Sequence, residues 1–298
     1  MPTKTTYPKG SPVHRELKHS QNFICQPRLV EELIELSNIE CNDLVVDIGA
    51  GKGIITKGLL EHAGRVIAIE QDPRLAEELS SLNCKNNFQL VIGDFRKWIL
   101  PKEKFKVFSN IPFNVTTDII AKLTSPVSLA TDIFLIMQED AAYRFTGMPY
   151  RSNSQNSILL AVDFSIQIIR KLNNDYFKPK PNVGLVFTHF HRYLKPLVAK
   201  KDRQHFHDFV VYGYNQWAPN ILQSFKRIFS NKQLEIINKT QKLEGLKPSE
   251  LSIMQWIELF NTYCQYVPEP KQRLVKKSEK HLKIEQKKLD KWHRSRQY

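Results

Sequence analysis

From residue 44 to residue 192 the chain alternates short apolar runs with helix-length stretches, and this alternation limits the possible folds more than any other feature. LVVDIG (44–49), RVIAIE (65–70), FQLVIGD (88–94), KVFSNI (106–111) and DIFLIM (132–137) are continuous runs rich in Val, Ile and Phe. Runs of that length and composition suit strands buried on both faces. Between them, PRLAEELSSL (73–82) and TTDIIAKL (116–123) carry spaced apolar residues that suit helices. Strand–helix alternation predicts a parallel sheet with helices on both faces. FSIQIIRKL (164–172) and NVGLVFTHFHR (182–192) have no clear helix between them and predict a closing antiparallel pair. Ahead of the first strand, Pro27 is placed to start a helix, with Val30, Leu33, Ile34 and Ser37 at helical spacing.

After residue 193 the pattern becomes helical. Phe206, Phe209, Val210 and Trp217 mark one face, and Ile221, Leu222, Phe225, Ile228 and Phe229 mark another. Ser252 and Gln255 make a capping box, followed by Ile253, Trp256, Ile257, Phe260 and Cys264 on one stripe. The expectation is a small helical domain over 193–268, with these stripes as its core. The remaining boundaries are a basic N-terminal segment at 1–18, an α/β domain at 19–192 and a flexible basic tail at 269–298.

Charge bears on partners. The 298 residues carry a net charge of +14, which points to a polyanion such as nucleic acid or an anionic membrane surface. Residues 271–298 alone hold 11 Lys or Arg and three acids, Glu279, Glu285 and Asp290. Such a run is either a solvated tail or an arm that neutralises phosphates. Cys25, Cys41, Cys84 and Cys264 are far apart and form no CxxC pair, which argues against a zinc site or a disulfide framework. No stretch resembles a signal peptide or approaches the length of a membrane span. No metal, no membrane and a cytoplasmic location are expected.

VVDIGAGKG (45–53) follows one strand and precedes a helix. Gly49, Gly51 and Gly53 allow a tight turn and close approach of backbone to a ligand, although a purely structural turn would use the same residues. Glu70 lies 21 residues beyond Gly49 at the end of the next strand, where a carboxylate can accept both ribose hydroxyls of a nucleoside cofactor. The third strand ends in Asp94, placed to meet an adenine amine. Either acid alone could be a strand-end cap; three successive strands ending in a turn glycine or an acid form a stronger pattern. The GxxxxGK[ST] of a phosphate-binding loop is missing. An acidic, glycine-lined pocket suits S-adenosylmethionine, which has a ribose and an adenine but no phosphate.

The fourth strand ends in SNIPFN (109–114). An adenine amine is a poor nucleophile because its lone pair is delocalised into the ring. The Asn110 side-chain oxygen and the Ile111 carbonyl could hold its hydrogens and orient it. Pro112 restrains Ile111 to an extended conformation, and Phe113 offers a face for a flipped-out base. Catalysis of this kind is mainly positioning. The plainer reading is a proline turn with a core aromatic.

With these segments in hand, the chain resembles the rRNA adenine N6-methyltransferase family, which includes the Erm resistance methyltransferases and the KsgA-type small-subunit enzymes. The resemblance covers 19–192 strongly and 193–268 more loosely. It rests on HSQNF (19–23), DIGAGKG (47–53), AIEQD (68–72), GDF (93–95), NIPFN (110–114), MQEDAAYRF (137–145) and YFKPKPNV (176–183). It implies a Rossmann-like class I methyltransferase fold with a seven-stranded sheet and a small C-terminal helical domain that binds RNA. It implies cofactor contacts from Asn22, Ile24, Gly49, Gly51, Glu70, Asp94 and Asn110, and catalytic roles for Asn110, Ile111, Pro112 and Phe113. It also implies that Phe177 packs against the target base, where the residues alone suggest a core aromatic before a rigid loop. SQNF, GAGKG and NIPF look more like the Erm branch, although Ser109 stands where that branch often has Gly. That branch implies a monomer that methylates one adenine of 23S rRNA, naked or in early assembly intermediates, and confers resistance to macrolides, lincosamides and streptogramin B. A small-subunit rRNA dimethyltransferase, a DNA adenine methyltransferase and a non-catalytic nucleic-acid-binding relative are the alternatives.

Overall fold

The structure is a computed structural model and describes residues 22–295. The expected basic segment 1–18 and the first three residues of HSQNF lie outside the described residues. Contacts divide the chain into two units. One takes the chain up to Ala142 together with Ser165–Arg192; the other takes Tyr143–Phe164 and the chain from Tyr193 onward.

The first unit holds a short pair, β1 (Phe23–Ile24) with β8 (Phe177–Lys178), and a seven-stranded sheet. The sheet strands are β2 (Leu44–Ile48), β3 (Arg65–Glu70), β4 (Phe88–Ile92), β5 (Phe105–Asn110), β6 (Ala130–Gln138), β7 (Phe164–Leu172) and β9 (Leu185–Arg192), in the order β4-β3-β2-β5-β6-β9-β7. β4, β3, β2, β5 and β6 run parallel, and β9 is antiparallel to β6 with β7 beside it at the edge. This is the α/β fold the alternation predicts. Every residue of β2 is buried, as continuous apolar runs require. β4 departs from that pattern: it is an edge strand, and Ile92 is largely exposed.

The helix Pro27–Glu35 starts at the proline and buries Leu29, Val30, Leu33 and Ile34. Ser37 falls beyond its end, where its hydroxyl donates to the Ile34 carbonyl at 2.6 Å. The chain order reverses between β2 and β5, so their carboxyl ends flank a switch point. In open α/β sheets ligands bind at such a point.

The second unit is helical, with Phe206, Phe209, Phe225, Trp256, Phe260 and Tyr263 packed in one core. The Ser252 capping box forms as expected: the Ser252 N–H donates to Gln255 Oε1 at 2.9 Å, and the Gln255 N–H to Ser252 Oγ at 3.3 Å. Two stripe members are corrected. The helix Arg203–Tyr214 stops there, so Trp217 lies past the end of that periodicity and is fully exposed. Cys264 is exposed too, and its neighbour Tyr263 takes the buried position.

Two boundaries also differ from the sequence reading. Residues 143–164 group with the helical unit because Ile158 and Val162 join its core. There the Asn153 amide donates to the Leu251 carbonyl at 2.8 Å. The basic tail is not simply extended chain: Glu269–Gln272 and Ser278–Ser295 are helical. Val275 is fully buried. The buried Asp208 carboxylate accepts the Lys277 and Glu279 N–H groups at 2.8 and 3.0 Å. A carboxylate from another helix thus fills the capping role at the start of Ser278–Ser295.

Candidate active site

The carboxyl ends of β4, β3, β2 and β5 are neighbours in the sheet, and each carries one of the expected polar groups. After β2 the backbone turns through Gly49 and Gly51, with φ of 72° and 58°. A Cβ on Gly51 would stand 2.8 Å from the Phe23 ring. Glycine at that position therefore meets both a left-handed backbone and a ring packed on it. The turn is held by the Ile69 carbonyl, which accepts the Gly49 and Ala50 N–H groups at 2.8 and 3.2 Å.

Glu70 ends β3 almost wholly buried, at 2% exposure. Its Oε2 accepts the Gly51 N–H at 2.7 Å and its Oε1 accepts the Asp72 N–H at 2.8 Å. Burial raises its carboxyl above the usual range. Each carboxylate oxygen can accept more than one hydrogen bond, so Glu70 is fixed by the loop and keeps acceptor capacity for a ligand. Asp94 follows β4 and is held by Arg96, whose Nη2 lies 2.7 Å from Oδ2. That side-chain bond keeps the Asp94 carboxyl below its ordinary value. The Gly93 N–H donates to the Glu70 main-chain carbonyl at 2.8 Å, which ties the two strand ends together.

Asn110 ends β5. Its Nδ2 donates to the Asn22 carbonyl at 2.7 Å. A carbonyl only accepts, so this bond decides which end of the amide is nitrogen and leaves Oδ1 as an acceptor on the other side. The Ile111 N–H donates to the Ile136 carbonyl at 3.3 Å, while among the described residues the Ile111 carbonyl receives no hydrogen bond. Pro112 has φ −61° and ψ 135°, and Phe113 opens a short turn, half-buried against the core.

Asn22, Gly49, Asn110, Ile111, Pro112 and Phe113 line one small crevice together with Phe23. Gly51 and Glu70 are bonded to each other through that same loop, and Asp94 stands at the adjacent strand end. Ile24 and Phe177 are paired across β1 and β8. Both are buried, and Phe177 lies in the core of this unit at 1% exposure.

Four positions escaped the sequence reading. Phe23 packs over the glycine loop, and Asp72 supplies a backbone donor to Glu70. Ser109 accepts the Ile48 N–H on its hydroxyl at 2.7 Å, joining β2 to β5 at the switch point. Asp47, 1% exposed, accepts the Thr56 hydroxyl at 2.7 Å, and its other oxygen has no partner among the described residues. The S-before-N and D-x-G-x-G spacings could have flagged the last two.

The arrangement fits a nucleoside cofactor without phosphate. It offers a buried carboxylate, a second carboxylate, an oriented amide and a glycine turn. Comparison with known proteins gives the family directly: residues 14–265 match the model of the ribosomal RNA adenine dimethylases. The chain belongs to that family.

It is an S-adenosylmethionine-dependent rRNA adenine N6-methyltransferase. An rRNA adenine N-6-methyltransferase of Bacillus licheniformis is 33% identical over 259 residues, covering 83% of this chain and 86% of that protein. A ribosomal RNA small subunit methyltransferase A of Clostridium botulinum is 31% identical over 224 residues, covering 72% and 80%. Among solved structures, the 23S rRNA methyltransferase ErmE superposes with a TM-score of 0.76 at 24% identity, covering 82% of this chain and all of that one. That likeness establishes the class I methyltransferase fold. No helix of the described residues is long and apolar enough to cross a membrane.

Proposed function

We propose that this methyltransferase acts on one adenine of 23S rRNA in the peptidyl transferase region and so confers resistance to macrolides, lincosamides and streptogramin B. The observation that carries the catalytic part is the Asn110 amide, locked by the Asn22 carbonyl with its oxygen left as an acceptor beside the Ile111 carbonyl. S-adenosylmethionine supplies the activated methyl group. Glu70 would hold ribose hydroxyls and Asp94 an adenine amine, with Asn22, Ile24, Gly49 and Gly51 shaping the remaining contacts. Asn110 Oδ1 and the Ile111 carbonyl would accept the two hydrogens of the target amine and orient it. Phe113 would stack on the extruded base, and Phe177 would support that face from the core.

The choice of 23S rRNA rests on SQNF, GAGKG and NIPF, which look like the Erm branch. RNA docking is assigned to the helical unit and its basic C-terminal helix, and the protein works as a cytoplasmic monomer. Sequence-specific RNA readers favour loops, where extruding a base costs least.

Expression in a susceptible bacterium should raise resistance to macrolides and lincosamides together, and Asn110→Ala should abolish it. Normal susceptibility with an accumulated, folded protein would refute the resistance function.

A further inference from the structure

Along the sheet from Asn110, β6 and β9 bring three metal-ligating side chains onto one face. Asp132 pairs directly with His191, and Phe134 with His189. Residues two apart on a strand share a face, so Asp132, His189 and His191 stand together. Asp132 Oδ1 lies 2.9 Å from His189 Nε2 and 2.8 Å from His191 Nδ1. The three candidate ligand atoms all lie within 4.8 Å of one another. Ile136, the register partner of Asn110, is four residues further along β6, so the cluster is about 13 Å from the catalytic strand end.

Two imidazoles on one oxygen could serve only to neutralise a buried carboxylate. Two further observations go beyond that. The His189 ring stacks on Phe134 at 4.2 Å and 13°, which fixes its orientation before any ligand arrives. The Asp132 side chain is 5% exposed while that of His191 is 50% exposed, so the donor set is anchored on its inner side and open to water on its outer side.

We propose that Asp132, His189 and His191 form a binding site for a divalent transition metal of the zinc type. Two imidazoles and one carboxylate are a donor set that zinc uses, with water completing the fourth position. Bonds of about 2.0–2.1 Å set tetrahedral ligand atoms roughly 3.3 Å apart, so the oxygen–nitrogen gaps, now 2.8–2.9 Å, need to open by a few tenths of an ångström, while the two ring nitrogens, within 4.8 Å of each other, need to close by at most about 1.5 Å. The ion would take the place of the protons now shared between oxygen and nitrogens. Its ligands come from both strands, so it would staple β9 to β6 and take no part in methyl transfer. The site was hidden in the sequence because cysteine spacing is the usual zinc signal, whereas here an H-x-H within a strand meets an aspartate 57 residues away from its first histidine.

The test uses the untagged full chain, stripped of metal and titrated with Co2+ and then Zn2+. One equivalent of Co2+ should give a visible absorption band, without the near-ultraviolet band of thiolate ligation that the exposed cysteines would produce, and Zn2+ should displace it. Zn2+ should also raise the melting temperature. His191→Ala and His189→Ala should each lose the band and the thermal shift while still methylating rRNA, which reports that they fold. In the unmutated chain, Zn2+ should move the NMR ring signals of His189 and His191 among the nine histidines. No band, a band retained in both variants, or movement of a different pair of histidines would overturn the proposal.

Discussion

Glu70 serves the loop and the proposed ligand with the same carboxylate, and the two uses can be separated. Glu70→Ala would strip acceptors from the buried Gly51 and Asp72 N–H groups as well as from a bound ribose. Glu70→Gln keeps the volume and one acceptor and removes the charge. It should weaken S-adenosylmethionine binding by about 1.5–3 kcal/mol, the range for hydrogen bonds to a charged group. Calorimetric affinity within a factor of two of wild type would rule the role out. Asp47 makes a prediction about stability. Burial pushes its carboxyl from 3.8 up to about 7, with the Glu70 charge adding to the rise. The unfolded chain then ionises first, so stability falls as pH rises from about 4 to about 7 and is lowest above that window. Asp47→Asn retains an acceptor for Thr56 and removes the titration. It should flatten this pH dependence by up to about 4 kcal/mol, measured by urea unfolding across that range. A wild-type and a variant curve of the same slope would contradict the buried, protonated carboxyl.

At the scale of elements, the parallel strands were legible because burial on both faces leaves continuous Val, Ile and Phe runs. The glycine turn and the strand-end acids were legible because they sit at the ends of those runs. The pairing of Phe23–Ile24 with Phe177–Lys178 was not, since two-residue strands carry no periodicity and their partners lie some 150 residues apart. The helix Ser278–Ser295 was hidden for another reason. Its charge pattern reads as a solvated tail, and its anchor, Asp208, belongs to a different helix. Lys280, Lys283, Lys287 and Lys288 are all exposed on it. If they meet phosphates, changing all four to Gln should lower the slope of log K against log salt for rRNA binding by about 0.7–0.9 per contact. Substitution spares Val275, which a deletion from 271 would remove from the core. An unchanged slope would mean that these lysines do not touch RNA.

At the scale of the whole molecule, one boundary in the sequence became three crossings in the structure. Residues 155–160 form a short helix that the sequence reading left unassigned, and Ile158 and Val162 pack in the helical unit. Within the candidate site, the residues that surround a ligand were readable because their chemistry is unusual at strand ends. Ser109 and Asn22 were not assigned their contacts because these depend on which strands become neighbours. The central claim is that the amide fixed by Asn22 aligns an adenine of 23S rRNA. The most direct test is primer extension on both large ribosomal RNAs from cells expressing the wild-type protein, Asn110→Ala, Phe113→Ala and Phe113→Tyr. The account predicts a stop at a single adenine in the peptidyl transferase loop of 23S rRNA. It should be lost with Asn110→Ala, weakened with Phe113→Ala as stacking worth about 1–3 kcal/mol is removed, and kept with Phe113→Tyr. A stop confined to 16S rRNA, or one that survives Asn110→Ala, would contradict it.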